Sequence, residues 1–278
     1  MKHLLLIILT ILVAAKQVNA QSNADLNSLK SIELQLSKQA QSIMNEDELI
    51  DRLRADSFFT RTLVKALQTP YSFNYAFDSL QTISRKYAPD SSFRIITWQV
   101  MKDPTYFRYK GAIQMKTTDG SLQLIPLFDG THFTENPVDS IRNAKNWIGA
   151  IYYNIILKTH NNKKYYTLLG FDEHDESSSR KWIEVLTFDN NRQPVFGGKY
   201  FFYPKDPIKP KQPAYRFYIE YKKDAAAKLN YEQDMDMIIF AKLISESNEP
   251  EKKYTLVPYG TIEGFKWQEG KWVYVPEQ

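Results

Sequence analysis

"FRIITWQVM", Phe93 to Met101, marks the point where the period of this chain changes. Before it, apolar residues recur at steps of three and four. From it onward they alternate, in segments rich in β-branched and aromatic residues, as strands do.

Upstream, Leu26, Leu29, Ile32, Leu36, Ala40 and Ile43 form one apolar helical face. Asn45 with Glu48 resembles a capping box opening the next helix, and Asp56 offers a second cap before Phe59, Leu63 and Leu67. Thr69-Pro70 ends that helix, because proline disfavours the helical conformation in the residue before it. Phe73, Phe77, Leu80, Ser84 and Tyr87 predict a third, shorter helix, stopped by Ala88-Pro89-Asp90. The helical stripes must be buried, and Leu29, Leu36, Leu63 and Leu67 are the expected core positions.

Downstream, short strand-like segments follow one another to the C-terminus. Asp119-Gly120, between two of them, is the strongest hairpin signal, because that pair tolerates the positive φ of a tight turn. Crossover helices and internal repeats are missing, which disfavours a parallel α/β sheet and a propeller. The expected fold class is α+β: about three helices, then a predominantly antiparallel β meander, sandwich or barrel-like. The expected divisions are 1–20 as a signal peptide, 21–90 as a helical region and 91–278 as the β-rich domain. In "YRFYIEY" (Tyr215 to Tyr221), Tyr215, Phe217, Ile219 and Tyr221 predict a dry face and Arg216, Tyr218 and Glu220 a wet one. "MDMIIFAKL" (Met235 to Leu243) is apolar on both faces apart from Asp236 and Lys242 and should lie deeper.

The signal peptide is read from Lys2 and His3, the apolar run Leu4 to Ala15, and small residues in Val18-Asn19-Ala20 before the expected cleavage. The run is shorter than the roughly 18 apolar residues of a spanning helix, so no stable membrane span is expected after cleavage. Cysteine is absent. A lipoprotein needs one to carry its lipid, so none is expected here, and neither are disulfides. An exported chain without disulfides needs a core large enough to hold the fold alone. The net charge is +4, and removing Lys2 and Lys16 with the signal leaves +2. That is too near neutral for a nucleic-acid binder.

Asp172-Glu173-His174-Asp175-Glu176 places four acids and a histidine in five residues. Asp172, His174 and Asp175 are the candidates for a metal or acid–base site there. No glycine lies inside the run as a calcium loop would require, and strand-like segments flank it. The preferred reading is a solvated hairpin tip, replaceable without loss of fold. Asp234 and Asp236, two residues apart, form a second candidate pair of the kind that cleaves glycosidic bonds. Solvated acids at a strand entrance are the preferred reading, since exposure is the default for Asp.

His132 and His160 sit beside turn residues without a nucleophile motif. The chain carries no G-x-S-x-G, H-E-x-x-H, P-loop or G-x-G-x-x-G pattern. "FGG", Phe196 to Gly198, is too short to cradle phosphate and is better explained by a bulge or tight bend. Trp98, Trp147, Trp182, Trp267 and Trp272 offer either a sugar-stacking platform or a sheet core, and the core is preferred.

"APDSSFRIITW", "NWIGAIYYNIIL", "YYTLLGFD", "KWIEVLTFDNNRQPVFGG" and "GFKWQEGKWVYV" resemble a pattern of uncharacterised exported proteins of Bacteroidota. The resemblance covers roughly Pro89 to the C-terminus and is weaker over the helices. It implies an envelope location, periplasmic or secreted. It brings no activity, cofactor or site residues with it.

Two functions are therefore weighed. One is a non-enzymatic exported module that binds a protein or a glycan, without cofactor. The other is a carboxylate-dependent hydrolase of cell-wall or glycan substrates, using Asp172, His174, Asp175, Asp234 or Asp236. What separates them is whether acids, or an acid and a histidine, converge in one cleft.

Overall fold

The computed structural model describes residues 21–277. The expected signal peptide lies outside these residues. Among the described residues no helix is long and apolar enough to cross a membrane.

Helix α1 (Asn23–Asn45) starts at Ser22, whose hydroxyl accepts from Asp25 N at 3.1 Å. Its buried stripe is Leu29, Leu36, Ala40 and Ile43, as the spacing requires. Helix α2 (Leu49–Leu67) follows Glu48, which makes no side-chain cap, so the expected capping box is not formed. Asp56 starts no helix either. It lies inside α2, buried, and accepts from Trp98 Nε1 at 2.8 Å.

The third helix does not form, and among the described residues two α-helices stand where about three were expected. Tyr71 takes a left-handed φ of 57°, a single 3-10 turn covers Ser72–Asn74, and Phe77 is left-handed too. Strand β1 (Ser84–Tyr87) then pairs antiparallel with β2 (Phe93–Asp103). Arg94 on β2 explains the difference. Its guanidinium donates to Ser72 O at 2.9 Å and Tyr75 O at 2.6 Å. Ser72 O also accepts from Tyr75 N at 3.0 Å, so one 3-10 turn closes there and the arginine holds the segment in it. Phe77, Tyr87 and Phe73 place their rings 5.2, 5.5 and 5.8 Å from the same cation. The helix-like spacing of these aromatics serves to wrap an arginine.

Among the described residues three open sheets follow, and none of them closes into a barrel. The first has the order β1-β2-β3-β4, with β3 at Tyr106–Met115 and β4 at Gln123–Phe128. The turn between β3 and β4 contains Gly120 at φ 76°, as Asp119-Gly120 predicts. The second sheet holds β5 (Arg142–Asn143), β6 (Ile151–His160), β7 (Lys163–Asp172), β8 (Ser178–Phe188) and β9 (Pro194–Phe196), in the order β5-β9-β8-β7-β6. The third joins β10 (Phe201–Phe202) to β12 (Leu229–Glu232), β13 (Met237–Ser245), β14 (Leu256–Gln268) and β15 (Lys271–Val275), in the order β10-β15-β14-β13-β12. β11 (Phe217–Lys222) adds to the second sheet along the first half of β8. Pairing is antiparallel apart from β10 with β15.

The cores define four layers. Both helices pack on Ile96, Trp98 and Val100 of β2. The opposite face of that strand, Phe93 and Ile95, packs with Trp147, Tyr152, Leu168 and Trp182 of the second sheet and its approach. The far face of the second sheet, Leu169, Ile183, Val185 and Phe217, packs on Phe240, Phe265 and Trp272 of the third. The second sheet is dry on both faces, and β13 is as deep as its sequence predicts.

This dryness overturns the expected wet face of "YRFYIEY". Arg216 and Glu220 are both buried. Arg216 Nε pairs with the buried Glu184, and its other nitrogens donate to Pro137 O and Ser140 O at 2.8 Å and Phe196 O at 3.0 Å. Tyr152 Oη donates to Glu184 Oε2 at 2.7 Å, and Trp147 Nε1 donates to Tyr152 Oη at 2.8 Å. Burial and the neighbouring Glu184 hold the Tyr152 phenol well above its usual value, so it stays a donor. The "FGG" bend belongs here. Gly197 has φ 83°, and a Cβ on it would lie 2.9 Å from Tyr215 O and 3.0 Å from the Arg216 guanidinium.

Arg216→Met should therefore cost about 3–5 kcal/mol, because it leaves Glu184 charged and unpaired in a dry layer. Urea denaturation of wild type and variant measures this.

Candidate functional site

The β3 start, the β7–β8 turn and the segment after β4 meet at one end of the first two sheets. A cleft of 380 Å³ lies between them, within the range of about 300–1,000 Å³ for small-molecule sites. Asp172, His174 and Asp175 all line it, together with Tyr109, His132 and Arg180. The acidic run is thus partly folded into a cleft and is not a solvated tip throughout.

Asp172, the last residue of β7, is buried. Its Oδ1 accepts from Tyr109 Oη at 2.8 Å and from His174 N at 2.8 Å. Trp182 Nε1 lies 3.4 Å from Oδ2. The Tyr109 phenol is pushed well above its usual value by burial and by the Asp172 charge, which keeps it protonated as a donor. Gly149 makes room for this ring, since a Cβ there would come 2.4 Å from Tyr109 Cβ. Replacing Asp172 would strip Tyr109 of its buried partner, so the run is not freely replaceable.

Beyond Asp172 the turn is held by its own charges. Lys223 Nζ donates to Glu173 O and Glu173 Oε2 at 2.7 Å, and to Asp175 O at 2.9 Å. Asp175 Oδ1 accepts from Ser177 N, Ser177 Oγ and Ser178 N, each at 2.8 Å. Against a desolvation that would raise it, those hydrogen bonds hold the Asp175 carboxyl below its ordinary value. Arg180 Nε donates to Glu220 Oε2 at 2.7 Å. Only Glu176 keeps the exposure expected of a tip, with Ser177 beside it.

His174 sits at the centre with a left-handed φ of 58°. Its Nε2 lies 3.5 Å from Asp175 Oδ2 and 3.6 Å from Glu220 Oε1. Burial, seconded by the Arg180 charge, pushes the imidazole below its usual value despite the opposite pull of Glu220, Asp172 and Asp175.

The lip of the cleft is aromatic. The Tyr106 and His132 rings are 5.0 Å apart, and His132 meets Phe133 at 5.5 Å. Phe133 is 89% exposed and stands just outside the cleft lining, against His132. The tryptophans form no such platform there: Trp98, Trp147, Trp182 and Trp272 are buried in the cores, as the preferred reading has it, and Trp267 is half-buried against Tyr165 and Trp272.

The other candidates lie elsewhere. Asp234 and Asp236 occupy the turn between β12 and β13 and are exposed, so they share no strand face. Asp236 takes a left-handed φ, pairs with Lys158 and accepts from Tyr231. His160 ends β6 beside Gly270. Among the described residues, no group of three or more His, Cys, Asp or Glu is placed to hold a metal ion. Tyr109, Arg180 and Glu220 are functional neighbours that the sequence did not single out. The available signal was Arg180 and Glu220 as charges inside otherwise apolar, aromatic strands.

The chain matches no protein-family model, no curated protein and no solved structure. The geometry of the cleft is therefore what carries a functional reading.

A pH response follows from His174. Its lowered value means that stability is fully present above 6.5 and declines as the pH falls below that, because the unfolded chain takes up the proton first. His174→Asn keeps a residue that accepts left-handed φ. Melting temperatures at pH 7 and pH 5.5 should fall less in this variant than in wild type.

Proposed function

We propose that this protein is an exported, non-enzymatic binding module that holds a sugar-bearing ligand in the cleft beside Asp172. The observation that carries the reading is the aromatic lip of Tyr106 and His132, extended outward by the exposed Phe133 ring against His132, above a floor with uncommitted polar groups. A sugar ring has an apolar C–H face that gains by covering an aromatic surface, and hydroxyls that need partners. The lip supplies the first. For the second, Arg180 uses only Nε on Glu220, and Glu135 lines the cleft without a partner among the described residues.

The hydrolase reading draws support from Asp172 and His174 facing one cleft. Its weakness is that Asp172 and Asp175 are already bonded, which leaves Glu135 as the one lining carboxyl without a partner among the described residues, where glycoside cleavage takes two. Asp172 serves Tyr109, Asp175 closes its own turn and Glu220 is paired with Arg180. A general acid or nucleophile needs a carboxyl free to reach the scissile bond.

A panel of soluble oligosaccharides, screened on an array and then titrated calorimetrically, tests this. At least one should bind, and the double substitution Tyr106→Ala and Phe133→Ala should weaken it by about tenfold or more at unchanged melting temperature. Absence of binding across the panel, or equal binding by the variant, would sink the proposal. Release of reducing ends that Asp172→Asn abolishes would favour the hydrolase.

Export rests on the apolar run Leu4 to Ala15 and the small residues before Gln21, with the Bacteroidota resemblance pointing to the envelope. Mass spectrometry of the exported protein should find Gln21 as its first residue. A product still carrying residues 1–20 would count against cleavage.

A further inference from the structure

A second cleft lies at the other end of β3. That strand runs ten residues from Tyr106, at the aromatic lip, to Met115, so the two clefts are about 30 Å apart. The second has a volume of 490 Å³ and is walled by three turns, Tyr71–Asn74, Asp90–Ser92 and Lys116–Ser121, with Arg192 completing it. Its walls are set in advance. Tyr71, Ser91 and Arg192 hold left-handed φ of 57°, 54° and 59°, and strain of this kind collects at ligand sites. The Tyr71 ring lies so close to Gly120 that a Cβ there would come within 2.7 Å of it.

The charges of this cleft do not balance. Lys116 and Arg192 are exposed cations with no ion-pair partner among the described residues. The acid lining it, Asp90, is already held by Lys164 Nζ at 2.7 Å, Ser92 Oγ at 2.7 Å and Tyr166 Oη at 2.9 Å. Asp119, in the wall turn, directs Oδ1 to Ser121 N and Oγ at 3.1 and 2.7 Å.

Behind the floor is Arg94, whose side chain is fully buried. Its donors reach only neutral acceptors: Gln114 Oε1 at 2.8 Å, Tyr87 Oη at 2.9 Å, and the Ser72 and Tyr75 carbonyls. Gln114 itself lines the cleft, so one side chain separates this buried cation from the open space. A buried charge without a counter-charge keeps its field, because little water is present to screen it.

We propose that this cleft binds the anionic group of a small ligand, a phosphate, sulfate or carboxylate. Lys116 and Arg192 make the direct contacts, and Arg94 is the fixed charge behind them. The Ser91 and Thr118 hydroxyls, which make no bond among the described residues, and Asn74 suit a hydroxylated body attached to that group. The site is independent of the aromatic cleft and of the reading given for it.

The test is calorimetric titration of the full exported chain with inorganic phosphate, sulfate and glucuronate, with glucose as the neutral control. At least one anion should bind saturably, more weakly as salt is raised, while glucose does not bind here. The ranking of the three identifies the group the natural ligand carries. Lys116→Gln combined with Arg192→Gln should weaken binding by about tenfold or more. Both residues are exposed, so the melting temperature should hold. Phe133→Ala should leave anion binding untouched, which separates this site from the glycan cleft. Failure of all three anions to bind, or wild-type affinity in the double variant, overturns the proposal.

Discussion

The Glu184–Arg216 pair is the constraint on which the rest of the structure depends. It sits in a sheet that is covered on both sides, where an unmatched charge is costly. Completing it draws in five separate parts of the chain. Tyr152 comes from β6, Glu184 from β8 and the Phe196 carbonyl from β9. Arg216 precedes β11, and Pro137 and Ser140 belong to the long polar segment after β4. That segment also carries His132 and Phe133. The aromatic lip is thus tied through a few residues to a buried cation, and the site is anchored by the core rather than draped over it. Gly197 is part of the same arrangement, since any side chain there would meet the guanidinium.

Much of the fold was legible in the sequence because burial follows periodicity. The α1 stripe, the Leu63 and Leu67 positions of α2, the Asp119-Gly120 turn and the depth of β13 all lie where the spacing puts them. The third helix was misread for a physical reason. Phe73, Phe77 and Leu80 are indeed buried, but periodicity reports which residues seek cover and not what covers them. A buried arginine about twenty residues downstream holds the segment in a single 3-10 turn, and nothing local announces that. The wet face assigned to Arg216 and Glu220 failed likewise. Alternation of charged and aromatic residues usually marks a half-solvated sheet, whereas here a further sheet edge and long-range partners cover it.

The candidate site was half legible. Composition drew attention to Asp172, His174 and Asp175, and the fold brings these three to one cleft. Their meaning was not legible, because it depends on partners far along the chain. Tyr109 lies 63 residues from Asp172, and Glu220 lies 40 residues from Arg180. Asp234 and Asp236 looked equally promising by spacing. A turn at Gln233–Asp236 separates them from any strand face, and a left-handed backbone at Asp236 was not readable from residue type alone.

The second sheet's lack of a wet face bears on how the molecule is assembled. A sheet with one solvated side can exist with its partner absent, exposing only its polar half. This one has no polar half to show. Stripped of either neighbouring layer, it would present Phe217 and Val185, or Trp182 and Leu168, to water along its length. Such surfaces promote association between chains during folding. The layers therefore gain from closing together: most strands pair with their neighbours in sequence, whereas β5 with β9, β11 with β8 and β10 with β15 must wait for distant parts of the chain to meet. A chain built in this way spends its most vulnerable moments before the stack is complete.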